Sequence, residues 1–166
     1  MRLIDLFNIL SGGNNMKDNR IKVAEKIKYG ENMQQKIDMV KKLKDKELLH
    51  IIASVYNWDD GFEIPIEIIR NKNCDLGTAL LLFFLADGIV YLTDKDEVIQ
   101  SNDISWKNFL EELFEMIDKN QFVSMDIAYN PNFSKVDIYI LKKDYSEISD
   151  LFIYGIDGTN VPVPVV

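Results

Sequence analysis

Apolar positions recur with a period near 3.6 over the first two-thirds of the chain and alternate over much of the rest. From Met33 the series runs Met33, Ile37, Val40 and Leu43, then Leu48, Ile51, Ile52 and Val55. That spacing predicts two helices, each turning one stripe toward a core. "KLKDK" breaks the series, and Asp45 is placed to cap the second helix. Ile21, Ala24 and Ile27 predict an earlier helix that Gly30 ends. Leu3, Leu6, Phe7 and Leu10 predict one or two amphipathic turns, with "SGGNN" as a flexible joint after them. Pro65 suits the first turn of a short helix, "IEIIRN", that stops near Asn71 and Asn73. Asp75 then caps "LGTALLLFFLAD", which is apolar nearly all round and therefore central, with Gly88 as the residue that ends it. The clearest pattern joins Trp106, Phe109, Leu110, Leu113, Phe114 and Ile117 into one helical face.

After residue 122 the period changes. Val123, Met125, Ile127 and Tyr129 fall at every second position, "NPNFSK" has turn chemistry, and "VDIYIL" alternates again. A hairpin is the expectation, with a helix as the other reading of the second run. "LFIYG" is a candidate third strand, and the prolines of "VPVPVV" make an extended tail. The predicted class is α+β and mainly α, in one domain over residues 1–166, with a small C-terminal β-hairpin or strand element.

Charge changes the picture more than composition does. At 166 residues with 47% apolar content, the chain has enough material for a core without metal or disulfide support. The net charge of −8 is unevenly spread. Residues 17–46 carry ten Lys/Arg against five Asp/Glu, whereas residues 47–166 carry eight against twenty-one. An acidic body disfavours nucleic acid and favours cationic partners, and the lysines of the basic stretch, interleaved with helix-spaced apolar residues, read as a solvated helix surface. One cysteine and one histidine exclude an internal disulfide and multi-cysteine or multi-histidine metal sites, and fit a reducing cytoplasm. Asp5 interrupts the N-terminal apolar run, and "ALLLFFLA" is too short to span a bilayer, so neither a secretory signal nor a membrane segment is expected.

Candidate chemistry is concentrated in "YNWDDGFEIP", residues 56–65. Asp59, Asp60 and Glu63 supply three carboxylates, the residue type that binds hard cations or performs acid–base work. The same stretch also makes sense as a helix end and a helix start. Gly61 then takes a positive φ in the turn, Trp58 and Phe62 seal the joint, and Glu63 meets the positive end of the helix that Pro65 opens. His50 and Cys74 invite comparison with a nucleophilic pair, but both sit in apolar surroundings that suit structural residues. On the long helix, Glu111, Glu115 and Asp118 form an acidic stripe opposite the apolar face, a pattern that is usually a solvated surface.

"YNWDDGFEIP" followed by "NKNCDLGTALLLFFLADG" resembles the core of an uncharacterised bacterial domain family with the signature NWDDGFxIP, NxxCDLGTAL, ADG. Trp58, Gly61, Phe62, Pro65, Cys74, Asp75 and Gly77 are the positions that carry it. The later "YNPN…YILKK" and "GIDGTNVPVP" are similar too. The resemblance therefore spans residues 45–166 and leaves residues 1–44 as an N-terminal helical extension. It implies no activity. Analogy of size and acidity links such proteins to toxin–immunity pairs. The short helix between two longer ones looks like a unit of a helical repeat joined through Asn-x-Asn-Cys-Asp, although no internal repeat of fixed length is visible.

The expectation is a protein-binding module that catalyses nothing and carries no cofactor or metal. Its leading form is an immunity protein that docks a basic toxin through Asp59, Asp60, Glu63, Glu111, Glu115 and Asp118. A metal-assisted hydrolase built on Asp59, Asp60 and Glu63, or a scaffold module of a larger complex, are the alternatives.

Overall fold

A computed structural model describes residues 19–163. The turns expected over Leu3–Leu10, the "SGGNN" joint and the end of the "VPVPVV" tail lie outside the described residues.

The described chain is all-α, and no β-strand occurs among these residues. The helices are α1 (residues 19–29), α2 (Met33–Lys42), α3 (Lys46–Val55), α4 (Glu63–Arg70), α5 (Leu76–Leu85), α6 (Gly88–Thr93), α7 (Lys95–Ile99), α8 (Ile104–Asp118), α9 (Lys135–Asp144) and α10 (Asp150–Tyr154). Side-chain caps start most of them, because the first N–H groups of a helix have no internal partner. Asn32 accepts from the Gln35 N–H, Asp45 from Glu47 and Leu48, Asp75 from Gly77, and Asp103 from Trp106. The break expected at "KLKDK" is real, with Leu43 extended and Asp45 capping α3.

The helices stack in two similar pairs. Helices α2 and α4 run side by side in the same direction: Lys36 reaches Asp60, Lys41 reaches Glu67, and Asn71 reaches the end of α2. Helices α3 and α5 also pack against each other, with His50 meeting Thr78. The second pair begins thirty residues after the first at both Met33/Glu63 and Lys46/Leu76. The same thirty-residue spacing therefore separates α2 from α4 and α3 from α5. The Asn-x-Asn link joins α4 to α5 and also reaches back to the end of α2. Asn71 Nδ2 donates to the carbonyls of Val40 (2.7 Å) and Leu43 (3.1 Å), and Asn73 Nδ2 donates to Leu43 (3.1 Å). These bonds satisfy carbonyls at the open end of α2.

Helix α5 is the most enclosed element, packed by α3, α4, α6 and α8. Leu80, Leu82 and Phe83 share the core with Leu49, Ile52, Ile64, Ile68, Phe109, Leu110 and Leu113. Ala24, Ile27 and Val40 belong to the same buried cluster, so α1 and α2 contribute to it as well. Helix α5 ends before the expected glycine. Asp87 takes the left-handed conformation (φ 58°), and Gly88 instead begins α6, pressed against the Phe83 ring.

The C-terminal third corrects the α+β expectation. "VDIYIL" is helical because Ser134 and Asp137 form a reciprocal capping box that starts α9, and this outweighs the alternation. "LFIYG" is α10, closed by Gly155. The run from Val123 to Tyr129 stays extended but finds no partner strand. Val123 and Met125 are exposed while Ile127 is buried, so the alternation does not separate an inner from an outer face. Its backbone bonds go elsewhere. The Ser124 carbonyl accepts from Leu76 N at the start of α5, and residues 126–129 pair with Ile156 and Thr159.

Asp75 anchors that segment. Its carboxylate is fully buried and accepts four hydrogen bonds in all: Oδ1 from the N–H groups of Gly77 (2.9 Å) and Ile127 (3.2 Å), Oδ2 from Ser124 Oγ (2.6 Å) and the Asp126 N–H (2.8 Å). Gly77 lets the segment approach, since a Cβ there would stand 2.1 Å from the Ile127 carbonyl oxygen. Lys46 closes the arrangement from outside, its ammonium meeting Asp126 and Ser124 Oγ. Losing the carboxylate in Asp75→Ala strands several donors at once, so the variant should lose about 3–5 kcal/mol of stability. Asp75→Asn should lose less. Urea denaturation measures both, and a loss below about 1 kcal/mol in the alanine variant would remove Asp75 from this role.

His50 is buried, with Nδ1 3.0 Å from Thr78 Oγ1. Burial lowers its pKa from the ordinary 6.5, and the Asp75 charge opposes that shift. Below pH 6.5 the unfolded chain binds a proton that the folded chain refuses. Stability is therefore full above that pH and is lost as pH falls toward the folded-state pKa. His50→Gln should flatten the stability profile between about pH 7 and pH 5.5, above the range where carboxylates dominate. Identical profiles for the two proteins, measured by denaturation at each pH, would exclude this contribution.

Candidate functional site

The stretch that joins α3 to α4 is a compact turn with a purpose for almost every residue. Asn57 caps a single 3-10 turn, Trp58–Asp60, by accepting from the Asp59 N–H. Gly61 follows at φ 89° and ψ −163°, a backbone region that side chains rarely enter. The Tyr56 hydroxyl donates to the Gly61 carbonyl at 2.9 Å and fixes the turn from below. Burial raises the Tyr56 pKa, helped by the charges of Asp60 and Glu63, so the hydroxyl stays a donor. Trp58 meets Tyr56, Phe62 and Phe109 edge to face, with ring centres 5.6–6.1 Å apart. Pro65 is buried in the first turn of α4. The helix-end and helix-start reading of this stretch therefore describes its backbone.

The three carboxylates of the turn do different things. Asp60 faces the buried Lys36 ammonium at 3.4 Å and accepts from Asn57 Nδ2 at 3.3 Å, so it serves a structural pair. Asp59 and Glu63 have no ion-pair partner among the described residues and remain on the surface. They border a groove of about 450 Å³ between the turn and the start of α8. Trp58, Phe62 and Ile66 form its apolar part, Asp103 adds a third carboxylate, and no lysine or arginine lines it. Phe62 and Phe109 hold the floor from behind with ring centres 5.3 Å apart. An acidic rim over an aromatic floor suits a guanidinium or ammonium group, which gains both ionic and cation–π attraction there.

The stripe on α8 is less uniform than its spacing implies. Glu111 is half-buried. Glu115 is paired with Lys119, whose hydrogen bond pulls the carboxyl below its usual range. Asp118 is exposed and borders a different cavity. Neighbouring Glu112, off the stripe, binds Arg70 through two bonds of 2.6 and 2.7 Å. The structure thus splits the expected residues into a groove, formed by Asp59 and Glu63, and scattered surface charges.

The remaining candidates read as structure. Cys74 is buried, which pushes its thiol pKa up, with the Asp75 charge adding to the effect, so the reactive thiolate is disfavoured. His50 is paired with Thr78. Among the described residues, no group of three His, Cys, Asp or Glu side chains is placed to hold a metal ion. The carboxylates expected for a metal-assisted hydrolase do not form such a group. A second groove, about 600 Å³ in volume, gathers Lys41, Lys42, Lys44, Arg70 and Lys72. It lies where the C-terminal ends of parallel α2 and α4 meet, and cations are favourable beside two negative helix ends.

Two features escaped the sequence reading. Asp103 is part of the groove only because α8 folds back toward the turn; its place ahead of an apolar helical run was the available signal, and that marks a cap rather than a site. Asp75 was legible as a cap, but nothing local shows its bonds to residues some fifty positions away.

Residues 44–118 match the family model of a domain of unknown function, DUF4274. The matched region includes the turn, the groove and α8. No curated protein and no solved structure matches the chain. No helix among the described residues is long and apolar enough to cross a membrane.

At Gly61 the backbone itself supplies a test of the turn. Gly61→Val should lower stability by about 1–3 kcal/mol, because a branched residue is strained at this φ. An unchanged melting curve would mean that the turn relaxes without cost.

Proposed function

We propose that the chain is a protein-binding module that docks a basic partner, and that it acts as an immunity protein covering the cationic cleft of a bacterial toxin. The groove at the WDDGFE turn carries the proposal. It offers Asp59, Glu63 and Asp103 around an aromatic floor, with no cation of its own. The net charge of −8 supports the same direction, since an acidic surface accelerates encounter with a basic one. A toxin that acts on nucleic acid must present positive charge to phosphate, and an acidic protein can take that place. Glu111 and Asp118 extend the field, whereas Glu115 contributes less because Lys119 already neutralises it.

The rigidity of the turn favours tight binding. Trp58 and Phe62 are held by neighbouring rings, so little side-chain freedom remains to be lost on docking.

The test begins with capture of the partner from the native host and its identification. The double variant Asp59→Lys, Glu63→Lys should melt within a few degrees of the parent, because neither carboxylate has an ion-pair partner among the described residues. It should lose at least about tenfold in affinity for that partner and fail to protect cells that co-express a toxin. Association by the parent should slow steeply as salt rises. Full protection and unchanged affinity in the double variant would exclude the groove as the interface.

A further inference from the structure

A second cavity, of about 250 Å³, lies between α6–α7, the end of α8 and the start of α10. Its walls are aromatic and largely removed from solvent: Tyr91 and Phe152 are buried, and Phe114 is partly so. The rings hold one another. Phe114 and Phe152 are stacked at 5.6 Å with an angle of 13°, and Tyr91 meets Phe114 at 5.0 Å. The walls are therefore preformed, and an occupant would not have to order them.

The mouth of this cavity carries two carboxylates, Asp118 and Glu147. Both are exposed, and neither has a hydrogen bond or ion pair among the described residues. One cation, Lys95, also lines the cavity, with its ammonium over the face of the Tyr91 ring at 4.9 Å. Asp118 is also the last residue of α8, whose final turn contains no basic residue. A carboxylate at the negative end of a helix is unfavourable by itself, and a cation beside it removes that cost. An aromatic lining with a few polar groups beside it is a common form of a small-molecule site. At roughly 30 Å³ per water, this volume equals about eight waters, enough for one ring with a short side chain.

We propose that this cavity binds a small aromatic amine, its ring seated against Tyr91, Phe114 and Phe152 and its ammonium held by Asp118 and Glu147. The charge pattern favours the class: two carboxylates outnumber the one ammonium, Lys95, which is engaged on the Tyr91 ring, and an alkyl amine leaves the rings uncovered. This cavity shares no lining residue with the groove at the WDDGFE turn, although the charge of Asp118 also adds to the acidic field proposed there.

Titration calorimetry of the full chain with 2-phenylethylamine at neutral pH tests the proposal. Saturable binding is expected, with a Kd on the order of 1 mM or below for a ligand of roughly nine non-hydrogen atoms. 3-Phenylpropionate and ethylamine should each bind at least about tenfold more weakly. The double variant Asp118→Asn, Glu147→Gln should lose about tenfold in affinity for the amine with a melting temperature no lower than the parent's. Ser149→Phe should block binding by filling the mouth, and it removes no capping bond because the Ser149 side chain makes none. Three results would overturn the assignment: no saturable binding of the amine up to about 10 mM, equal binding of amine and carboxylate, or amine binding that survives both variants unchanged.

Discussion

The buried carboxylate of Asp75 is the point on which the arrangement of this chain depends. One side chain caps the central helix and, through the same two oxygens, fastens residues 124–127 against its start. A carboxylate out of contact with water is tolerable only when donors replace its solvation, and here four do. The consequence is topological. The C-terminal third is tied to α5 by polar bonds at one end and by ring packing at the other, where Phe152 lies against Phe83 at 5.1 Å. Leu141, Ile148 and Ile153 add apolar contacts that seat α9 and α10 on the same core.

The stacked pairs α2–α3 and α4–α5 impose a second constraint. Parallel neighbours bring like helix ends together, negative beside negative, and the cluster of cations at the ends of α2 and α4 answers that field. The same stacking puts the turn before α4 at the opposite end, where carboxylates are favoured by the positive ends of helices. A separation of basic and acidic surface along one short helix thus follows from backbone direction. The acidic groove is where this polarity coincides with exposed aromatic area, which is why it stands out from the other acidic positions of the chain.

Much of the helical part was legible because amphipathic spacing and capping residues agreed. Asp45 and Asp75 each preceded a strong apolar run and each caps a helix. Trp106 to Ile117 formed one face in sequence and does so in space. The last third was not legible, since period-two alternation in a short run specifies a face only if a neighbouring strand is present to use it. In "SKVDIY" the reciprocal bonds between Ser134 and Asp137 decide for a helix, a signal as local as the alternation and stronger. The groove was half visible: Asp59 and Glu63 were singled out by density of charge, but Asp103 joins them through the path of α8, and Asp60 leaves them through an ion pair with a lysine twenty-four residues earlier. Long-range partners of this kind leave no trace in local pattern.

The extended run from Ser124 to Tyr129 has one more consequence, for solubility. It is a stretch of alternating apolar residues of the type that adds to itself from chain to chain when its backbone is free. In the native fold its N–H and carbonyl groups are engaged from both flanks, by the start of α5 and by the loop from Ile156 to Thr159. That loop sits close because glycines face it: a Cβ at Gly155 or Gly158 would stand 1.9 or 2.5 Å from a carbonyl oxygen of the run. The two glycines thus let the loop cover this segment at backbone contact distance. Release of this loop alone would bare those backbone groups, so the exposure of this segment depends on the local stability of a few residues as well as on the global stability of the fold.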